Sequence, residues 1–391
     1  MDGQGCSCID NAVVDLTCRL VRLGRMSGDE SDVADLVEGV MRDLGYREVA
    51  RDGLGNVVGL AGPAGTELEL LFDSHMDVVP ASGTWTDDPF GGEIRDGRIY
   101  GRGTTDMKGA LAASILGVAD AARRGRLTRQ VAVSASVLEE VIEGAALGRV
   151  LDRYAPRRVI ICEPSSLTIK RAQRGRMEII LDVFGIPAHA AHPEKGKNAL
   201  LLAAQALSAI QAMDLPDDPL FGRMIMVPTD ILSHPWPSIS ALPERVSIRF
   251  DRRTGVGETE ELILAPLRAA LDRIDATAFS LRITDDPVDA FTGDRIVPRR
   301  MLLAWSQAED SPLVRAAEAS LAETGLPVRV GHYGFCTNGS ESAGRRGIPT
   351  IGLGPGDESH AHVINESIAI DELIAARALY CNLTLKLAGE S

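Results

Sequence analysis

The chain has 391 residues, of which 45% are hydrophobic and 25% charged, and carries a formal net charge of -14. That is enough for two or three domains with real cores and no disulfide staples. The negative charge repels phosphate backbones and anionic lipid, so it disfavours nucleic-acid and membrane-surface roles and points to a small-molecule partner.

The first apolar stretch, residues 12–23, is interrupted by Asp15, Arg19 and Arg22. It reads as an amphipathic helix, not as a signal peptide or a membrane span. Six cysteines (Cys6, Cys8, Cys18, Cys162, Cys336, Cys381) follow no repeated spacing, which suits free thiols in a cytoplasmic protein. Cys6 and Cys8 could bind metal, but they read first as part of a frayed terminus. Val33, Leu36, Val37, Val40, Met41 and Leu44 keep helical spacing, and Gly45 is placed to stop that helix.

Short apolar runs at 68–72, 131–137 and 159–162 have strand length, and each ends just before a candidate ligand. Runs of this kind read as buried central strands of an α/β sheet. After Gly175 the texture changes: strands are expected over 177–184, 246–250 and 278–283, and helices over 198–213 and 258–274. The sheet pattern returns with a helix from about 311, an apolar run at 350–353 and a terminal helix over 370–387. The predicted domains are a sheet domain made of 1–174 and 286–391, interrupted by a small α+β unit over 175–285.

The chemistry gathers at the strand ends. His75 falls at the carboxyl end of the first buried strand, the edge where open α/β sheets place ligands. Asp77, two residues on, is close enough to accept the other imidazole N–H and so fix the tautomer. Asp106 follows the glycine-rich Tyr100-Gly101-Arg102-Gly103-Thr104-Thr105 and precedes an alanine-rich helix. It can be a helix cap, or a carboxylate that reaches two ions. Glu139 and Glu140 end the second strand, where adjacent acids repel unless cations or a proton divide their roles. Glu163 ends the third. His362 and His360 compete just past the strand at 350–353, and spacing does not choose between them. Only oxygen and imidazole nitrogen donors occur in this set, and five ligands with one bridging carboxylate suffice for two divalent ions. The expected centre is that of a metallohydrolase.

The runs His75-Met76-Asp77-Val78-Val79-Pro80, Gly101-Arg102-Gly103-Thr104-Thr105-Asp106-Met107-Lys108-Gly109, Glu139-Glu140, Glu163-Pro164 and Ala361-His362-Val363-Ile364-Asn365-Glu366 together resemble the aminoacylase, acetylornithine deacetylase, succinyl-diaminopimelate desuccinylase and carboxypeptidase G family of metallopeptidases. The resemblance runs over nearly the whole chain, in collinear order. It implies an α/β fold: a mixed-sheet catalytic domain with an inserted α+β lid or dimerisation domain, assembled as a homodimer or higher homo-oligomer. It also implies two divalent ions, zinc first, with manganese or cobalt as alternatives. One ion would take His75, Asp106 and Glu163, and the other Asp106, Glu140 and His362, with Asp77 supporting His75 and Glu139 as general base. His362 is preferred to His360 on this ground alone, and a cis peptide is expected at Asp106-Met107.

In the inserted unit, His189 matches a histidine that reaches a partner's site to bind the oxyanion, with His192 as a nearby competitor. Arg253 matches a position that grips a substrate carboxylate, and Asn338 is a further substrate candidate. The implied reaction is hydrolysis of an amide C–N bond in a small carboxylate-bearing substrate, such as an N-acyl amino acid or a dipeptide. Deamination of an activated aromatic amino acid and a non-catalytic metal-binding scaffold are the alternatives. Ser240-Ala241-Leu242-Pro243 and Thr337-Asn338-Gly339-Ser340 depart from desuccinylases. The runs 174–178, 251–259 and 347–356 look most like the subgroup called selenium-metabolism-linked hydrolases.

Overall fold

The computed structural model describes the backbone of residues 6–390 and the side chains of residues 12–390. The expectations for the Cys6 and Cys8 side chains lie outside the described residues. Amphipathic helices come first. α1 is Cys6–Leu23, and α2, Ser31–Asp43, buries Val33, Ala34, Val37 and Met41. Gly45 follows at φ +84, a left-handed turn that glycine enters without steric cost, which is why the helix stops there.

The chain divides into two compact units: Met1–Gln173 with Pro287–Ile296 and Ser306–Ser391, and Arg174–Asp286 with Val297–Trp305. In the first, β1 (Glu48–Arg51), β2 (Val57–Ala61), β3 (Leu68–His75), β4 (Gln130–Ser136), β5 (Val159–Ile161) and β6 (Ile169–Gln173) join a mixed sheet with a late strand, Thr350–Gly352. The order is β1-β2-β4-β3-β5, then Thr350–Gly352, then β6. β3 runs parallel to both β4 and β5, whereas β2 runs antiparallel to β4. Parallel strands with covered faces need apolar residues at nearly every position, and β3 buries all but its first residue.

The alanine-rich helix α3 (Gly109–Arg123) and the terminal helix α8 (Ile370–Ala388) share the main core with the sheet, through Phe72, Leu111, Ile115, Leu379 and Tyr380. The Phe72 and Tyr380 rings lie 5.1 Å apart. Each such fully buried side chain contributes roughly 1.5–3 kcal/mol. The two helices come so close that a Cβ on Gly117 would lie 2.8 Å from the Arg377 carbonyl oxygen.

The second unit is an antiparallel sheet built on β7 (Gly175–Phe184), with β8 (Ile225–His234), β9 (Arg245–Thr254) and β10 (Phe279–Ile283) in the order β8-β9-β7-β10. β9 alternates buried and half-buried residues along its length, the period of a sheet with one face in a core. α5 (Ala199–Gln211) and α6 (Glu260–Asp275) supply that core with Ala203, Ala206, Ile263 and Leu267. Asn198 and Thr259 cap the two helices by accepting the Leu200 and Leu262 N–H groups.

Two features depart from the sequence reading. β8 was not expected, because Pro228, Thr229 and Asp230 interrupt its apolar residues; the register slips between Pro228 and Asp230, and an edge strand tolerates both the proline and the slip. The second departure concerns 286–391: Val297–Trp305 packs with the second unit, where β11 (Met301–Leu302) pairs with β7. Between α6 and α8 lies α7, Pro312–Glu323, capped by Ser311. Among the described residues no helix is long and apolar enough to cross a membrane, and Cys18, Cys162, Cys336 and Cys381 are buried and form no disulfide.

Candidate metal centre

The carboxyl ends of β3, β4 and β5 deliver His75, Glu139 with Glu140, and Glu163 to one place in the first unit. His75 is the last residue of β3 and is 1% exposed. Its Nδ1 donates to the Asp77 carbonyl oxygen at 2.9 Å. A carbonyl only accepts, so Nδ1 carries the proton and the Nε2 lone pair of the neutral ring is free to ligate. The supporting group is thus the Asp77 backbone more than its side chain, whose nearer oxygen stands 3.5 Å off. The Asp77 carboxylate accepts instead from Ser27 Oγ (2.7 Å) and from the Glu139 and Glu140 N–H groups (3.2 and 3.1 Å). One residue therefore ties the His75 strand to the turn α4 (Glu139–Ile142).

Asp106 lies between two imidazoles. Its Oδ1 is 3.0 Å from His75 Nε2, and its Oδ2 is 3.1 Å from His362 Nε2. Glu163 Oε1 lies 3.7 Å from His75 Nε2, and Glu140 Oε2 lies 3.1 Å from His362 Nε2. The donor atoms of His75, Asp106 and Glu140 are within 4.8 Å of one another, as are those of His75, Glu139 and Glu163. The turn that carries Asp106 needs Gly103 at φ +86, where a Cβ would also meet Val78 Cγ1 at 2.6 Å. The Asp106-Met107 peptide is cis.

The protonation pattern fits a cation-binding cluster. Burial opposes charge on His75, yet hydrogen bonds to Asp106 and Asp77 and the charge of Glu163 hold its pKa well above the imidazole range. Burial works against the Asp106 carboxylate too, but His362 and His75 keep it well below its ordinary value. Glu140 is pushed up to about 7 by burial and the Asp106 charge. Glu139 is raised by burial and Glu163, and Glu163 by burial and Asp106. His362 is lifted to about 10 by its hydrogen bonds to Asp106 and Glu140. Carboxylates crowded this tightly are stabilised by cations among them. Glu139 Oε1 is buried without a hydrogen-bond partner, as suits a group facing a ligand. The residues present fit a pair of divalent ions.

His360, which spacing alone could not separate from His362, faces elsewhere: its Nδ1 lies against Arg98 Nη2 (3.2 Å) and the Ser367 carbonyl (3.3 Å). Asn338 lies inside the fold. Expected as a substrate contact, it is 2% exposed, gives its amide hydrogens to Asp73 Oδ2 (2.7 Å) and Ser136 Oγ (3.1 Å), and accepts from the Gly144 N–H (2.5 Å). Its polar atoms are used inside the fold.

His189 and Arg253 belong to the second unit and are described there. His189 Nδ1 accepts the Ala191 N–H at 3.0 Å, so in the neutral ring Nε2 is the donor. Arg253, on β9, pairs through Nε with Asp251 Oδ1 at 2.8 Å. His192 is exposed and lies 3.7 Å from Glu194.

The sequence reading missed Glu366 and Glu30. Fully buried Glu366 accepts the Thr105 and Asp106 N–H groups at 2.9 and 3.1 Å through Oε1 and holds Arg102 at 2.5 Å through Oε2. It lies in the quoted run that ends at Glu366, and Arg102 lies in the run before Asp106, but spacing gives no means of pairing them. Glu30 accepts the Leu138 N–H at 2.9 Å and is pushed up to about 7 by burial and the Asp77 charge. Lys108 is likewise buried, and its Nζ has no hydrogen-bond partner.

The chain is similar to known proteins over most of its length. Residues 71–386 match the profile described as Peptidase family M20/M25/M40. The chain is 32% identical over 381 residues to the uncharacterized protein YgeY of Escherichia coli K12, covering 94% of this chain and 92% of that one. It is 27% identical to a succinyl-diaminopimelate desuccinylase of Dechloromonas aromatica, over 95% and 97% of the two chains. Its fold is similar to that of Bacillus subtilis YXEP, described as a dinuclear metal binding peptidase from the M20 family, with a TM-score of 0.70 and 13% identity over 98% and 99% of the chains. The chain belongs to peptidase family M20. It is a metal-binding hydrolase of the class that acts on amide bonds of small peptide-like substrates.

Proposed function

We propose that this enzyme hydrolyses the amide C–N bond of a small substrate bearing a carboxylate, an N-acyl amino acid or a dipeptide. His75, Asp106 and Glu163 would hold one divalent ion, and Asp106, Glu140 and His362 the other. Zinc suits this imidazole and carboxylate set best, and manganese or cobalt can replace it. Such a pair, when bound, polarises a carbonyl and lowers the pKa of water.

The observation that carries this reading is the Asp106 carboxylate, whose two oxygens each face a different imidazole, at 3.0 and 3.1 Å. Glu139 takes the proton from the attacking water and returns it to the leaving nitrogen. Its buried position and raised affinity for a proton support that role. Asp77 keeps the Nε2 face of His75 and the Glu139 turn in register. His189 donates through Nε2 to the oxygen that gains charge, in the site of a partner subunit. Arg253 exchanges Asp251 for the substrate carboxylate, a task suited to a planar fork of donors.

A homodimer joined through the second unit is supported by β8, a ten-residue edge strand with exposed Ile225, Val227, Ile231 and Leu232. A bare apolar edge of that length invites pairing with another copy. A cytoplasmic location is supported by four buried cysteines that form no disulfide.

The test is Glu139→Gln, assayed on a panel of N-acyl amino acids and dipeptides with metal content measured in parallel. Turnover should fall about 10²–10⁴-fold with metal retained. Unchanged turnover contradicts the base assignment, and loss of metal makes Glu139 a ligand.

A further inference from the structure

The turn that presents Glu139 and Glu140 is short and unusual at both ends. Leu138 enters it at φ +60 and Glu143 leaves it at φ +26, left-handed conformations that cost a residue with a side chain on the order of 1–3 kcal/mol each. Four residues of helix do not hold such a turn unaided. Its entry is fastened by Asp77 and Glu30, which accept the Glu139, Glu140 and Leu138 N–H groups. Its exit is fastened by the Asn338 side-chain oxygen, which accepts the Gly144 N–H at 2.5 Å.

The same Asn338 amide donates to Asp73, two residues before His75 on β3, and to Ser136, the last residue of β4. Ser134 and Ser136 supply the hydroxyls that the Asp73 Oδ1 atom accepts. One buried carboxamide thus joins the strand that carries a ligand of one ion to the turn that carries a ligand of the other and the proposed base. Only a group with a donor and an acceptor on the same planar head can do this, because Asp73 demands a donor and Gly144 an acceptor.

We infer that Asn338 is a positioning residue, a clamp between β3 and the Glu139-Glu140 turn that sets the distance between the two halves of the metal centre. The inference rests on the two-ion reading of the site. Outer groups of this kind govern metal affinity or activity by about 10- to 100-fold.

The chemistry supplies its own rescue test. Asn338→Asp sets two carboxylates against each other, whereas the exchange Asp73→Asn with Asn338→Asp restores a donor facing an acceptor, and the carboxylate introduced at position 338 still accepts the Gly144 N–H. The metal-free protein is titrated with Co²⁺ alone, followed by visible absorption, and kinetics are measured on the best substrate of the amide panel. Asn338→Asp should weaken the second equivalent of cobalt at least about tenfold and lower kcat with KM within about threefold of wild type. The exchange should recover most of both.

Three outcomes overturn the clamp: unchanged cobalt binding and kcat in Asn338→Asp, a rise in KM alone, or an exchanged protein that unfolds or binds no better than the single variant. If Asn338→Asp does not fold, the exchanged protein decides by whether it takes up both equivalents. An absence of turnover in the wild type on every amide would instead count against the proposed function, and the cobalt titration would still read the clamp.

Discussion

The two halves of the metal centre are built differently. The His75 half is closed: His75 and Glu163 are 1% and 4% exposed, set at the ends of adjacent parallel strands, and the Glu163 carbonyl is held by the Tyr333 hydroxyl at 2.9 Å. The His362 half is open. The His362 side chain is 51% exposed on a residue with φ +61, and its partner Glu140 stands on the short α4 turn. Rigid strands position one half, and loops fastened by single hydrogen bonds position the other. On the proposed two-ion reading, the open half is the one expected to exchange metal and admit substrate, and to feel small changes in its support most.

Variants that treat the halves unequally sharpen this contrast. The largest effect is expected at Asp106, which serves both: Asp106→Asn should release both ions on dialysis and reduce turnover to background, and retention of either ion by elemental analysis would contradict a bridging role. His75→Ala and His362→Ala should then differ. Removing His75 takes the hydrogen-bonded partner from the buried Asp106 carboxylate, so it should lower stability by roughly 3–5 kcal/mol as well as metal content. Removing His362 should lower metal content toward one ion per chain with little change in Tm. Equal losses in both variants would erase the distinction.

The smallest effect lies behind the turn, at Glu30. Its folded pKa, about 7, stands above the ordinary 4.5, so the folded state binds the extra proton. The stability it supports is complete below pH 4.5 and is lost as pH rises through 7. Glu30→Gln keeps the acceptor for the Leu138 N–H and should therefore gain over wild type as pH goes from 5 to 8, by up to about 3 kcal/mol. A difference in unfolding free energy that stays constant with pH would contradict this.

The closed half was the legible one. β3, β4 and β5 are apolar runs that lead to a candidate ligand, as buried strands of a parallel sheet can, so His75, Glu139 and Glu163 stood out, and with them Glu140 of the open half. The open half was not settled by pattern. His360 and His362 differ only by two positions, and the choice follows from Arg98 and the Ser367 carbonyl holding His360, neither of which spacing reveals. The support Asn338 gives was not legible either, because its partners Asp73, Ser136 and Gly144 lie far away in the chain. β8 escaped notice because Pro228, Thr229 and Asp230 interrupt its apolar residues, an interruption that an edge strand tolerates.

The central claim is that one carboxylate bridges two ions drawn from these two halves. A crystal structure of the zinc-loaded enzyme, with anomalous scattering recorded at the zinc edge, tests it most directly. Two peaks about 3.5–4 Å apart are predicted, one against His75 and Glu163, the other against Glu140 and His362, with Asp106 touching both. A single peak, or two peaks that do not share Asp106, would contradict it.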